Sequence, residues 1–339
     1  MKQENLILQK YSALRGFTQD AVDRALKEIC EETGFVPVQE TLRRYIFDPS
    51  KTWRVHFRGW WGGPPVSLCI ENMPHETDEE DIRQAFRKQA RALGVRSVRP
   101  PRTFLHHPFD EARGYAWTLC EEMSDRLLFV PDRESAGLAS QSFADFYRAL
   151  RRSVKMPFWP CEHADASSFS QTQLEEWKKL SLERHPDHAA RVMPIVDRLA
   201  GPYLAARKHR TLKFMHAHLT GTDVRIGPAG EYIVYANLFW KWRQPGYDVT
   251  FPMWGQWLAL PDDKRTPETV RSITETWIEM IRGELHDLVD AEDVLFMVMN
   301  RLIGALLLDV QAQRVNRSEP AVIALEAALI TEAKRILAI

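Results

Sequence analysis

The first strong pattern in the chain is helical. Residues 18–33 predict an amphipathic helix because apolar side chains return every three or four positions. Thr18 or Asp20 is the expected N-cap, and Gly34 is the expected stop. The apolar positions that form the buried face of this helix are Ala21, Val22, Ala25, Leu26, Ile29 and Cys30.

Strand patterns follow this helix. Short alternating segments separated by turn residues predict an antiparallel meander of three strands, then a helix that opens with acidic residues, then two more strands. The turns between the first three are DPSK and GWWGGPP, and the second is expected to be a plain hairpin loop. The segments are LRRYIF, TWRVHF, VSLCIE, the helix DIRQAFRKQARAL, RTFLHH and GYAWTLCE.

Beyond residue 124 the pattern is mainly helical, with short strands only near VRIG and EYIVYAN. Pro194 is expected to kink or shift one of the helices. We therefore predict an N-terminal helical segment (1–35), a small β-rich lobe (36–123) and a large helical lobe (124–339). The predicted helical segments are 142–154, 171–185, 189–209, 267–289, 291–313 and 320–338.

Composition and charge narrow the possible partners. The 45 basic and 46 acidic residues leave no net positive field that would hold nucleic acid or an anionic membrane. No segment approaches eighteen uninterrupted apolar residues, and the N-terminus lacks a secretory pattern, so a cytoplasmic protein is expected. The four cysteines form no CxxC pair and are expected to be free thiols: Cys30, Cys69, Cys120 and Cys161.

Candidate chemistry is concentrated in the segment 214–248. It begins with FMHAHLTGTDVR, which contains His216, His218 and Asp223, and continues through YIVYANLF, which contains Asn237. It closes with PGYD at residues 245–248. Histidine, carboxylate and amide side chains in one short segment are groups that can accept protons or bind a hard cation.

This segment resembles the catalytic region of the aminoglycoside phosphotransferase and choline kinase family, in which the loop reads HGDxxxxN, a later aspartate begins a DF or DW motif, and PxYD often follows. The order of elements along most of the chain is similar too. The resemblance implies an α+β, bilobal protein kinase-like fold, with a small antiparallel-sheet lobe and a larger, mainly helical lobe. It also implies ATP and Mg²⁺ as cofactors.

The resemblance assigns positions to individual residues, and several are substituted. His218 occupies the position of the catalytic base, while His216 matches the family's structural loop histidine. Asp223 and Asn237 fall on the two metal positions, but with carboxylate and amide exchanged. The other implied positions are Cys69 or Glu71 for the third-strand lysine, and Glu121 and Met123 for the segment between the lobes.

The part of the predicted site that would bind ATP lacks the residues that the family uses there. Neither Cys69 nor Glu71 is cationic, and the loop DPSKTW has no glycine to let backbone amides approach phosphates. The centre of the helix 81–93 offers no glutamate to pair with a lysine. Arg54, Arg58 or Lys51 is an alternative source of the missing charge, although strand arginines are commonly exposed.

Other chemical features have simpler interpretations. His185 and His188 have a spacing that can bind metal, but a solvated helix start is favoured, and Cys161 near His163 is taken as coincidence. The tryptophan-rich segment 237–258 is either an aromatic platform for a ligand or core packing, and core packing is favoured.

Three hypotheses remain open. The first is a pseudokinase with a degenerate ATP site that binds a small-molecule ligand or a protein partner. The second is an active ATP-dependent small-molecule phosphotransferase with an altered site made of His218, Asp223 and Asn237. The third is an unrelated α+β protein in which the motif match is accidental.

Overall fold

The structure, a computed structural model, describes residues 6–45, 53–75, 77–154, 157–160, 171–207, 211–315 and 317–338. The chain divides into two compact units. The sheet unit comprises Met1–Lys88 and Arg99–Asp125, and the helical unit comprises Gln89–Val98 and Arg126–Ile339. Lys51, most of the DPSKTW loop, Cys161 and His163 lie outside the described residues.

The sheet unit contains the predicted meander, helix and strand pair. Its five-stranded antiparallel sheet has the order β1-β2-β3-β6-β5, and the hairpin loop between β2 and β3 is the central WGGP (61–64) of GWWGGPP. The elements of this part of the chain are α1 (Leu6–Thr33), β1 (Val36–Tyr45), β2 (Trp53–Trp60), β3 (Pro65–Glu71), α2 (Glu79–Ala92), β4 (Val98–Arg99), β5 (Thr103–Asp110) and β6 (Tyr115–Glu121).

Strand alternation builds the core of the sheet unit. Every second residue of β2, β3 and β6 faces α1, so that one side of the sheet and one side of the helix share a single apolar cluster. The opposite face of β3 carries Ser67, Cys69 and Glu71. The cluster includes Val22, Ala25, Ile29, Trp53, Val55, Phe57, Val66, Leu68, Ile70, Tyr115, Trp117 and Leu119.

The ends of α1 test the predicted caps. The predicted start at Thr18 or Asp20 is wrong, because the helix already runs from Leu6. The segment before Thr18 is rich in residues with good helix propensity, such as leucine, glutamine, lysine and alanine, and its one glycine, Gly16, does not end the helix. The predicted stop is confirmed: Gly34 has a φ of +75°, and its N–H donates to the Cys30 carbonyl at 2.9 Å.

The helical unit contains all six predicted helices and one that the pattern did not reveal. A three-stranded sheet of order β4-β9-β8 and a two-stranded pair, β10 with β7, lie among them. The elements are α3 (Ala136–Ser153), α4 (Gln171–Arg184), α5 (Pro186–Arg207), β7 (Lys213–Met215), β8 (Val224–Ile226), β9 (Tyr232–Val234), β10 (Lys241–Arg243), α6 (Tyr247–Ala259), α7 (Pro267–Glu284), α8 (Ala291–Gly304), α9 (Val310–Ala312) and α10 (Glu319–Ile336).

The unpredicted helix is α6. It is apolar on most sides and contains Pro252 and Gly255, so no polar stripe reveals its period. Two other helices also depart from simple patterns. α5 continues as one helix through Pro194 and Pro202, and α8 passes into a π-helical turn at Ala305–Asp309 before α9.

His188 contradicts the interpretation of its segment as a solvated helix start. Its ring is buried, with Nδ1 2.7 Å from Glu326 Oε2 and Nε2 2.6 Å from the Leu306 carbonyl. The N-terminal turn of α5 packs against α10 and the π-helical turn, so the histidine lies in the interior. The sequence did not reveal this because its partners lie more than a hundred residues away.

Two predictions made from composition can be compared with the described residues. Cys30, Cys69 and Cys120 are free thiols, as expected. None of the described helices combines the length and the hydropathy that a membrane span requires.

Candidate functional site

The segment after β7 is a tightly held loop. The backbone N–H groups of His216 and Ala217 donate to the two carboxylate oxygens of Asp248, at 3.2 Å and 2.7 Å. Ala217 takes a positive φ of 63°, an uncommon backbone conformation for a residue with a Cβ. Asp248 lies in the first turn of α6, where burial raises its pKa to about 6 despite these two donors. The start of α6 therefore fixes the path of the loop.

His216 joins this loop to the segment that follows β9. Its side chain is buried, and Nε2 lies 3.1 Å from the Tyr235 carbonyl. The ring also packs edge-on against Trp240, with centroids 5.1 Å apart. These contacts place His216 inside the protein as a residue that braces the loop.

His218 and Asp223, two of the predicted site residues, are neighbours. His218 Nδ1 lies 3.4 Å from Asp223 Oδ2, which is ion-pair distance but long for a hydrogen bond. The His218 ring stacks on Phe239 with centroids 4.2 Å apart and lies 4.7 Å from the ring of Phe251. The imidazole is thus held by one carboxylate and two aromatic rings.

Asp223 is largely buried, and protein donors take the place of water around its carboxylate. Thr220 donates to Oδ2 from its backbone N–H at 2.9 Å and from its hydroxyl at 2.6 Å. Burial pushes the pKa of Asp223 up, but His218 and these Thr220 donors outweigh burial and hold the pKa below its ordinary value. Asp223 therefore remains a carboxylate whose charge is already compensated.

Asn237 lies close to Asp223 along the β8–β9 hairpin, since the Tyr235 N–H donates to the Asp223 carbonyl at 2.8 Å. Its side chain, however, points inward and is 0% exposed. The amide nitrogen donates to the Val234 carbonyl at 2.9 Å, and the amide oxygen accepts from the Trp240 indole at 3.1 Å. The hairpin brings Asp223 and Asn237 close together, but the side-chain oxygen of Asn237 is not available to bind a metal ion beside Asp223.

These residues do not fit a magnesium ion. Mg²⁺ needs near-octahedral oxygen ligands, with at least one or two carboxylates free to reach it. The amide oxygen of Asn237 accepts a hydrogen bond from the Trp240 indole, and Oδ2 of Asp223 accepts one from the Thr220 hydroxyl. Across the described part of the chain, no group of three or more histidine, cysteine, aspartate or glutamate side chains is arranged to hold a metal.

In the sheet unit, the third-strand positions carry no cation. Cys69 Sγ lies 3.7 Å from His56 Nε2, and burial raises the pKa of the thiol to about 11, so it stays neutral. Glu71 forms an ion pair with Arg54 at 3.0 Å and lies 3.3 Å from His75. As strand alternation predicts, Cys69 and Glu71 share the face of β3 that is turned away from the apolar cluster.

Arg54 corrects one expectation. It is not an exposed strand arginine: its side chain is only 21% exposed. The centre of α2 has no glutamate, but Glu79 in its first turn pairs with Arg54 at 2.8 Å and with Arg83 at 2.8 Å. The sequence had suggested only that this acidic turn complements the helix dipole. The resulting cluster of Arg54, Glu71, Glu79 and Arg83 is a buried ion-pair network that spans β2, β3 and α2.

The segment after β6 is also anchored internally. Both guanidinium nitrogens of Arg99 bond to the Glu121 carboxylate, which accepts a further bond from the Arg102 N–H at 2.7 Å. The backbone N–H of Met123 donates to the Ser67 hydroxyl at 3.1 Å. The Met123 N–H is therefore engaged by a side chain of β3.

Comparisons with known proteins bear on the fold. No protein-family model matches the chain, and no curated protein is similar to it in sequence. Among solved structures, a spectinomycin phosphotransferase in complex with ADP and spectinomycin is 9% identical, covers 93% of this chain and 98% of its own, and has a TM-score of 0.52. A microcompartment-associated aminopropanol kinase is 15% identical, covers 88% and 92%, and also has a TM-score of 0.52.

The chain has a kinase-like fold. The predicted α+β class, with an antiparallel five-stranded sheet and a mainly helical part, is confirmed. The third hypothesis, an unrelated α+β protein, is wrong. At identities this low the likeness concerns the fold, so the roles of individual residues must be argued from their own geometry.

The helical unit of this kinase-like fold also contains a cavity of about 190 Å³ that sequence reasoning did not find. Its residues come from four helices, β10 and the π-helical turn, which are far apart in sequence. The tryptophan-rich segment contributes to it, but that segment also supplies core residues such as Trp240 and Trp257. The lining residues are Trp177, Tyr203, Arg243, Gln244, Tyr247, Phe251, Trp254, Met297, Asn300, Arg301, Gly304 and Asp309.

One carboxylate lies in the wall of this cavity. Asp309 Oδ2 accepts a hydrogen bond from the Trp254 indole at 3.0 Å. Burial raises the pKa of Asp309 to about 6, because the indole donor and the charge of Arg301 only partly replace water. Asp309 is thus a carboxyl group whose ionisation is unfavourable in the folded protein.

Replacing Asp309 with asparagine should change how stability depends on pH. The raised pKa means that the native protein holds the proton of Asp309 more tightly than the unfolded chain does. Protonation of Asp309 therefore contributes to stability below about pH 4, and this contribution is lost as pH rises through about 6. Asp309→Asn is therefore expected to match the wild type near pH 4 and to exceed it at pH 7.5 by up to about 3 kcal/mol. Urea unfolding at the two pH values measures the difference, and an equal gap at both would contradict the assignment.

Proposed function

We propose that this kinase-fold protein binds a small-molecule ligand and does not transfer phosphate to it. The observation that carries the proposal is the inward-facing Asn237 amide, at the position where the resemblance expects a metal-binding carboxylate. Phosphoryl transfer depends on metal ions that neutralise charge on the phosphates. A buried amide that already has a donor and an acceptor from the protein is a poor substitute for such a ligand.

The sheet unit supports the same proposal. A kinase needs a cation whose charge can be offered to the nucleotide phosphates. Arg54 is the strand cation here, and Glu71 and Glu79 together already balance its charge. Withdrawing it toward phosphate would leave those two carboxylates unpaired in a buried network, which is costly. The engaged N–H of Met123 removes one further contact for a base.

A small-molecule ligand is favoured over a protein partner because the helical unit contains a defined cavity lined by aromatic and charged side chains. Nucleic acid is not expected, since the charges of the chain nearly cancel. A cytoplasmic location remains our expectation from the sequence.

The second candidate is an active small-molecule phosphotransferase, and one observation favours it. His218 and Asp223 form a 3.4 Å pair, and a carboxylate that orients an imidazole is an arrangement used for proton abstraction. The spectinomycin and aminopropanol proteins with this fold are named as a phosphotransferase and a kinase. In this alternative His218 would accept the proton of a substrate hydroxyl, and ATP and Mg²⁺ would be required.

Isothermal calorimetry with ATP separates the two candidates. The wild type is expected to show no magnesium-dependent ATP binding with a Kd below about 1 mM. The double variant His218→Asp/Asn237→Asp, which supplies carboxylates at both positions, tests whether the lost groups are the reason; a gain of magnesium-dependent binding in it would strengthen the proposal.

The opposite result is equally clear. Magnesium-dependent ATP binding by the wild type that disappears in Asp223→Asn, and persists in the surface control Asp263→Asn, would overturn the proposed function. Transfer of labelled phosphate from ATP to any small alcohol or amine, lost in the same variant, would establish the phosphotransferase instead.

A further inference from the structure

We infer that the cavity of the helical unit binds a small organic monocarboxylate, with the carboxylate held by Arg243 and Arg301 and an apolar body held by the aromatic walls. The inference rests on the proposed ligand-binding function and names the chemical class of its ligand. It is drawn from the charges and donors that line this cavity.

Arg301 is the first cationic group in the cavity that an anionic ligand would pair with. It is only 7% exposed, and its Nη2 donates to the Tyr247 carbonyl at 2.9 Å. The guanidinium lies over two rings, with its central carbon 3.9 Å from the Tyr247 centroid and 4.6 Å from the Phe251 centroid. The Nε atom is buried and has no hydrogen-bond partner. These contacts orient the fork but do not neutralise its charge.

Arg243 places a second positive charge beside the first. Its guanidinium carbon is 5.4 Å from the centroid of the same Tyr247 ring, and its Nε is likewise buried without a partner. Burial, together with the nearby charge of Arg301, lowers the pKa of Arg243. Among the residues that the structure describes, no carboxylate lies within 4.0 Å of either guanidinium. Two like charges that share one ring would both gain from an anion placed between them.

A third donor is available on α8. The side-chain nitrogen of Asn300 is buried and has no acceptor. Because buried N–H groups are nearly always hydrogen-bonded, three unsatisfied donors around one cavity indicate a missing acceptor. A carboxylate is planar and carries four lone-pair sites, so it can accept from guanidinium forks and from an amide together.

Asp309 limits the charge of the ligand. Two arginines and one partly ionised carboxylate leave the wall with a net charge between one and two. The other titratable groups in the lining are the phenols of Tyr203 and Tyr247. The charges of Arg301 and Arg243 lower the pKa of Tyr247 in spite of its burial, which shows how strongly positive this part of the cavity is. A monoanion balances this wall better than a phosphate dianion.

Size and the remaining walls define the rest of the ligand. A dry engineered cavity of about 150 Å³ is enough to hold benzene, so about 190 Å³ suits one ring with a small substituent. Trp177, Tyr203, Phe251, Trp254 and Met297 supply apolar surface for such a body. Aromatic walls alone would also suit a cation, but the two guanidinium groups would repel it.

Calorimetry and tryptophan fluorescence on the full chain test this inference with benzoate, benzamide, benzylamine and phenyl phosphate as probes. Benzoate is expected to bind with a Kd of about 1 mM or tighter, and each of the other three at least tenfold more weakly. Arg243→Gln and Arg301→Gln should each weaken benzoate binding at least tenfold, while the exposed α7 control Arg271→Gln should not change it. Asp309→Asn should tighten benzoate binding severalfold at pH 7.5.

Several outcomes would overturn the inference. These are no measurable benzoate binding, tighter binding of benzylamine or phenyl phosphate, or benzoate binding that survives both arginine substitutions. Because Arg301 contacts two rings, a failure of its variant to fold leaves Arg243→Gln as the decisive test. The result is distinguishable from the fate of the proposed function: phosphate transfer would overturn that function even if benzoate binds, and loss of benzoate binding would leave the ATP result standing.

Discussion

Replacing Glu326 with alanine is expected to destabilise the helical unit by about 3–5 kcal/mol. Glu326, on α10, is buried and accepts hydrogen bonds from His188 at 2.7 Å and from Arg191 at 2.7 Å and 3.1 Å. The other ring nitrogen of His188, Nε2, lies 2.6 Å from the Leu306 carbonyl, so the ring is held on both sides. Without Glu326, the buried His188 ring and the Arg191 guanidinium would lose the carboxylate that they share.

The effect should be located as well as measured. Urea unfolding gives the loss in free energy, and hydrogen exchange should show faster exchange in α5 and α10 with little change in α1 and the five-stranded sheet. The matched control is Glu183→Ala on α4, whose side chain is 57% exposed and lies 3.8 Å from Lys179. That substitution is expected to cost less than about 1 kcal/mol. Equal costs for the two variants would show that the His188–Glu326 pair is not a structural element.

Arg54→Met is expected to destabilise the sheet unit by a similar amount, about 3–5 kcal/mol. Methionine keeps much of the length of the side chain but removes the charge that balances Glu71 and Glu79, whose side chains are nearly buried. His75 and Arg83 remain as partial partners of these two carboxylates, so the loss falls short of two fully unpaired charges. Urea unfolding, with hydrogen exchange across β2, β3 and α2, provides the measurement.

Arg58→Met is the matched control because it lies on the same strand. Its side chain is 38% exposed and pairs with Glu122 at 2.6 Å in contact with solvent, so the expected cost is below about 1 kcal/mol. A second variant, Arg54→Met/Glu79→Gln, should recover part of the loss by removing one of the uncompensated charges. If the single Arg54 variant is no worse than Arg58→Met, the buried network does not hold α2 against the sheet.

Much of the fold could be predicted because periodicity reports which side of an element is buried. These patterns can be read from neighbouring residues, as in the strand alternation of β2 and β3 and the helical spacing of α1, α3 and α7. α6 could not be predicted, since a helix that is apolar on most sides gives no amphipathic signal. The start of α1 was missed because a good cap residue, such as Thr18, does not prevent a helix from continuing through it.

The candidate site was less predictable because its chemistry depends on contacts between distant residues. His216, His218 and Asp223 lie in one short loop, so the sequence could propose that they act together. Nothing local shows that the Asn237 amide turns toward Trp240 and Val234. Pairing of Arg54 with Glu79 joins residues 25 positions apart, and the helix dipole is a sufficient local explanation for an acidic first turn. The cavity needs residues from α4 to the π-helical turn and has no local signature at all.

Phe251 belongs to both places described in the helical unit. Its ring lies 4.7 Å from the imidazole of His218 in the loop and 4.6 Å from the guanidinium of Arg301 in the cavity wall. A side chain with two such neighbours is under a double constraint: any substitution that reshapes the cavity also removes packing from the loop. The loop and the cavity therefore cannot change independently at this position. A substitution of Phe251 that alters which ligand is preferred would also weaken the packing of His218.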